Sequence, residues 1–75
     1  MINDRRKMID AVIGKLEECQ MDVSMIAEEE QDYADNMPEN LQESERHEKA
    51  DDDASELDSI AQEIDELIER LREVQ

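Results

Sequence analysis

Asp51-Asp52-Asp53-Ala54-Ser55 is the stretch of this chain with the plainest capacity for chemistry. Oxygen donors at Asp51, Asp53 and Ser55 match the first, third and fifth positions of a calcium-binding loop. Such a loop needs glycine at its sixth position and glutamate at its twelfth, where this chain has Glu56 and Gln62. The expectation is a solvated acidic segment rather than a calcium site. His47 has Glu43 and Asp51 four residues away on either side, so a helix would set an imidazole between two carboxylates. A dinuclear carboxylate bundle needs two Glu-x-x-His repeats and the chain has none, which leaves His47 as a histidine held by acidic neighbours. Cys19 is the only cysteine; it forms no internal disulfide, and with one histidine it cannot complete a structural zinc site. It is expected to pack as a small hydrophobe. There is no serine–histidine–acid set and no glycine-rich phosphate loop, Gly14 being the sole glycine. The residues point to a non-enzyme with no cofactor and no metal.

The charge is more informative than any motif. Twenty-four acidic residues face eight basic ones, for a net charge of -16. From Glu28 to Asp58 there are fourteen carboxylates against Arg46 and Lys49 alone. Phosphates are repelled by such a surface, so direct DNA or RNA binding is excluded and a basic protein is the expected partner. Glu39, Glu43, Glu48, Asp51, Asp52, Glu56 and Asp58 are the candidate partner-binding residues. Only residues 1–15 are locally basic, through Arg5, Arg6, Lys7 and Lys15, and no aromatic interleaves with them to stack on bases. No apolar run approaches a membrane span and the N-terminal stretch is too charged for a signal peptide, so a cytoplasmic protein is expected.

These groups need elements to carry them. High charge with one aromatic residue warns of disorder, but the apolar residues are periodic rather than scattered. Ile2, Ile9, Leu16 and Val23 recur every seven, with Val12, Cys19, Ile26 and Tyr33 at the second seam position. Ala50, Leu57, Ile64 and Leu71 resume the heptad, interleaved with Ile60, Leu67 and Val74. Between the two runs, Pro38 stops an arriving helix, and Asn36 with Glu39 has the spacing of a capping box for the next. The spacing predicts one all-α domain over 1–75: helix 1 about 3–35, a turn at 36–41, and helix 2 about 42–74. Folded at Pro38 as an antiparallel coiled-coil hairpin, the seams pair Leu16 with Ile60, Val12 with Ile64, Ile9 with Leu67, Cys19 with Leu57 and Glu30 with Arg46. Ile13, Ala54, Ala61 and Ile68 flank the seam and are the expected oligomer interface, through which a homodimer of hairpins forms a four-helix bundle.

The segment Glu28-Glu29-Glu30-Gln31-Asp32-Tyr33-Ala34-Asp35-Asn36-Met37-Pro38-Glu39-Asn40-Leu41-Gln42-Glu43-Ser44-Glu45-Arg46 resembles one found in small acidic helical-hairpin proteins of phages and prophages. It carries no catalytic residues to transfer. The resemblance implies a viral setting, in which small acidic proteins block host defence systems. The function expected first is thus a phage-encoded inhibitor of a basic nucleic-acid-binding host protein, anti-CRISPR-like or anti-nuclease, acting by DNA mimicry. A structural or assembly coiled coil that binds through its apolar seam is the alternative, and a calcium-responsive acidic module a third.

Overall fold

The computed structural model describes residues 2–42 and 44–75. Helix α1 (Asn3–Asp35) is followed by a 3-10 turn (Glu39–Leu41) and helix α2 (Glu45–Val74), and among the described residues there is no strand. The two helices lie against each other along a rod of 60 × 14 × 11 Å. Their antiparallel sense is fixed by bonds at both ends. Near the turn Gln31 donates to Asp51 (3.2 Å), and near the open end Arg72 reaches Glu17 (3.1 Å). At the terminus the Gln75 amide donates to the Arg6 carbonyl and to Asp10.

Helix α1 ends as Pro38 requires, but the connection differs from the expected one. Asn36 is the C-cap of α1, not the start of the next helix: its side-chain amide donates to the Asp32 carbonyl (2.7 Å). Pro38 opens the 3-10 turn in an extended conformation, and its carbonyl accepts from Leu41 N–H (2.8 Å). The cap of α2 is Ser44, whose hydroxyl accepts from His47 N–H (3.2 Å) and donates to the Leu41 carbonyl (2.6 Å). An extended serine satisfying the third N–H of a helix is the usual N-terminal solution. Glu45 and Glu48 then favour the positive end of the helix dipole. The connection therefore runs from 36 to 44, and α2 begins three residues later than 42. Gln42 ties it together by donating to the Met37 carbonyl (2.7 Å), while Met37 packs into a cluster with Ala34 and Ala50.

The longer connection moves the register by about one heptad. Leu16 shares a groove with Leu67 and Leu71, where Ile60 was expected, and Gln31 with Asp51 replaces the expected Glu30–Arg46 pair.

The core also rotates by one position on both helices. Ile13, Ala27 and Ala34 are buried on α1; Ala50, Ala54, Ala61 and Ile68 are buried on α2. Ile9, Leu16, Val23, Leu57, Ile64 and Leu71 are half-buried beside them. The expected second seam row is outside: Val12, Ile26 and Tyr33 are 44%, 46% and 49% exposed, and Cys19 is exposed too. Size decides this. The row at 27 and 34 and the row at 54 and 61 are alanines, and facing alanines let helix axes approach more closely than valine, isoleucine and tyrosine allow. It follows that Ile13, Ala54, Ala61 and Ile68 belong to the contact between the two helices of one chain. Their assignment to an oligomer interface is corrected, since a residue already covered has no surface left to offer.

This rotation is testable by stability. Ile68→Ala should cost about 2–4 kcal/mol in urea unfolding, because Ile68 is 1% exposed. Met21→Ala, at a side chain 69% exposed, should change stability by less than about 0.5 kcal/mol. Gly14 is helical, and a Cβ there meets nothing within 4 Å. Gly14→Ala should therefore stabilise by about 1 kcal/mol, read as a higher melting temperature.

Candidate functional site

Two surfaces remain once the core is assigned. Residues that follow the half-buried rows, such as Glu17, Gln31, Asp51 and Arg72, meet across one side of the hairpin in the Gln31–Asp51 and Glu17–Arg72 bonds. A shallow groove on that side is lined by Ser24, Gln31, Ser55 and Asp58. Residues that precede the buried rows sit on the opposite flank of each helix. In an antiparallel pair these flanks fall on one common side. There Val12, Cys19, Ile26 and Tyr33 of α1 accompany Ile60, Leu67 and Val74 of α2. Leu67 and Val74 are 45% and 53% exposed, and with Leu16 and Leu71 they line an apolar groove of about 520 Å³ near the open end. The hairpin thus has one polar side and one apolar side.

The acidic surface wraps the turn end. Glu39, Glu48, Asp51, Asp52, Glu56 and Asp58 are all exposed; Glu43 lies outside the described residues. Glu48, Asp52 and Glu56 follow one another at four-residue spacing along α2, about 6 Å per step. Asp51 accepts from Gln31, and Asp58 accepts from Gln62 (3.1 Å), both amide bonds that leave the carboxylate charge in place. Neutralisation within this region comes chiefly from Lys49, whose ammonium bonds both oxygens of Asp53 at 2.9 Å. That hydrogen bond, then the fields of Asp53, Asp52 and Glu30, raise the Lys49 pKa above its ordinary value.

The residues weighed for metal chemistry are now placed. Asp51, Asp53 and Ser55 are in the body of α2 rather than in a loop, so Asp53 points away from the face that Asp51 and Ser55 share. Asp53 is occupied by Lys49 and Asp51 by Gln31. His47 is half-buried in the first turn of α2. Among the described residues no three His, Cys, Asp or Glu side chains come together as a metal-binding group. Cys19, expected within the seam, is a free, exposed thiol on the apolar side. Among the described residues no helix is long and apolar enough to cross a membrane. Sequence reasoning found the acids but missed the lateral apolar side. The available signal was that beside the bulky row Val12, Cys19, Ile26 and Tyr33, α1 carries a second row whose turn half is small, Ala27 and Ala34.

Compared with protein-family profiles, curated proteins and solved structures, the chain matches none of them.

Because the acids crowd one end, the hairpin repels itself there. Raising salt from about 0.02 M to about 0.5 M should raise the melting temperature by several degrees, through screening. A fall would mean that ion pairs such as Arg72–Glu17 (3.1 Å) outweigh the repulsion.

Proposed function

We propose that this protein is an acidic binding protein, phage-encoded, that occupies the nucleic-acid groove of a basic host defence protein in the cytoplasm and does so as a pair of hairpins. One observation carries the reading: the density of charge along the turn half of the rod. Sixteen carboxylates lie between Asp22 and Glu63, against Arg46 and Lys49. The α2 portion of that half, from Glu45 to Glu63, is about 27 Å long at 1.5 Å per residue. Fourteen of those carboxylates are on the two helices, so the rod there carries about one per 1.9 Å, close to the roughly 1.7 Å axial charge spacing of duplex DNA. Arginines and lysines arranged for phosphates can pair with carboxylates at that spacing, and release of their counterions makes the contact salt-sensitive. No catalytic role is assigned to the chain, and it needs no cofactor in this reading. The long, thin shape suits a groove.

The alternative is an assembly protein that binds through its apolar side. The exposure of Val12, Ile26, Tyr33 and Leu67 favours it. The two readings separate on salt, since apolar docking is strengthened or unchanged where carboxylate–arginine contacts weaken.

The test is displacement of a fluorescent 20-base-pair duplex from a panel of basic nucleases and guide-RNA effectors. The native protein should displace the duplex from at least one of them at low salt, and about tenfold or more less effectively at high salt. A variant carrying Glu48→Gln, Asp51→Asn, Asp52→Asn and Asp58→Asn should keep its helicity and lose the displacement. Equal displacement by that variant would overturn mimicry.

A further inference from the structure

We propose that the shallow groove on the polar side receives the guanidinium of an arginine from the partner. The proposal deepens the function proposed above. That the arginine belongs to a nucleic-acid-binding protein rests on that reading; the chemistry of the groove does not.

The groove exists because its side chains are small. Ala27 of α1 and Ala54 of α2 are buried at its base. Ser24 on one helix and Ser55 on the other are too short to fill the space above, and a recess of about 280 Å³ remains. Clefts that take drug-sized ligands run from about 300 to 1,000 Å³, so this one suits a single side-chain head. Glu28, Gln31 and Asp58 complete its walls.

Those walls accept hydrogen bonds and offer few. The Gln31 amide nitrogen donates to Asp35 (3.0 Å) and to Asp51 (3.2 Å). Both partners are carboxylates, which can only accept, so the nitrogen is held on them and the side-chain oxygen of Gln31 is left as an acceptor. Asp58 takes the bond from Gln62 on Oδ2, which leaves Oδ1. Glu28 is an exposed carboxylate, and the two serine hydroxyls accept as readily as they donate. No lysine, arginine or histidine lines the groove. Its occupant must therefore bring positive charge and several donors.

Ammonium and guanidinium both meet that demand, and the alanine base decides between them. An ammonium is compact and strongly hydrated, and an apolar base returns nothing for the water it strips. A guanidinium is planar and more weakly hydrated; its face can lie on the alanines while its five N–H groups point outward to the walls. A calcium ion wants about six to eight oxygen ligands. Among the described residues no three acidic, histidine or cysteine side chains converge as a metal group.

The groove lies within the stretch from Asp22 to Glu63, whose charge concentrates cations around it. A uniformly anionic rod can slide along a basic surface. A recess that takes one arginine fixes where along the rod the partner sits.

The experiment is an NMR titration of the isotope-labelled full chain with a blocked Gly-Arg-Gly peptide and with its Gly-Lys-Gly counterpart. The arginine peptide should shift the backbone amides of Ser24, Gln31, Ser55 and Asp58 most, and should bind at least about threefold more tightly than the lysine peptide. Ser55→Leu keeps every charge and fills the recess, so it should abolish that advantage with helicity intact by circular dichroism. Ser24→Leu, from the opposite wall, should do the same. Glu66→Gln removes an exposed carboxylate outside the groove and should leave the advantage in place. Equal affinity for the two peptides, shifts spread over the whole acidic surface, no shift at about 10 mM peptide, or an unchanged response in Ser55→Leu overturns the arginine site. The duplex-displacement assay separates the two readings. Displacement that survives Ser55→Leu overturns the groove's part in binding and leaves mimicry standing. Arginine held in the groove of a protein that displaces no duplex supports the groove and overturns mimicry.

Discussion

The close contact of alanine faces between α1 and α2 is the constraint on which the rest depends. Ala27 and Ala34 on one helix and Ala50, Ala54 and Ala61 on the other are all buried, with Ile13 and Ile68 toward the open end. Small side chains bring helix backbones close, and a close contact has room for only a narrow stripe from each helix. Apart from Ile13 and Ile68, the larger apolar side chains of the two helices are half-buried or displaced sideways. That is why seven apolar or sulfur-bearing positions stand on one flank, and why the opposite flank can be given to acids, amides, serines and Arg72.

A core so thin supplies little stability, and the fold carries a heavy electrostatic burden at one end. The connection meets it with local hydrogen bonds rather than bulk. Ser44 caps α2, Gln42 holds the Met37 carbonyl, and Asn36 closes α1 on Asp32. Ala34, Met37 and Ala50 then seal the bend where the two helices meet. The turn end can be dense in carboxylates because its geometry is fixed by these neutral contacts, not by ion pairs among the acids. The open end has the reverse character. Its charges are nearly balanced, and they include cross-helix contacts from Arg72 and Gln75. The rod is polarised along its length by charge and across its width by hydropathy, and each polarity has its own use in the functional reading.

Much of this architecture was legible in the chain. Pro38 disfavours the α conformation at Met37, and α1 accordingly spans Asn3–Asp35 as its periodicity implies. Ile9, Leu16 and Val23, and Leu57, Ile64 and Leu71, face inward as the heptad indicates. The acidic rim is where the composition places it, with Glu39, Glu48, Asp51, Asp52, Glu56 and Asp58 exposed. Cap assignment was less legible. Asn36-x-x-Glu39 and Ser44-x-x-His47 both offer a side-chain oxygen before a turn, and only the path of the backbone decides that Ser44 caps α2.

The sequence by itself determined the number of helices, their approximate ends, and the sign and location of the charge. These follow from local rules: a proline's missing N–H, a repeat of seven, and carboxylates that must stay hydrated. The tertiary structure alone decided which of two adjacent apolar rows is the core and which faces outward. A shift of one residue rotates a helix by only about 100°, so both rows fit the same period. The choice depends on how near the partner helix can come. That distance is set by residues some twenty to fifty positions away, among them Ala50, Ala54 and Ala61, and no local pattern records it.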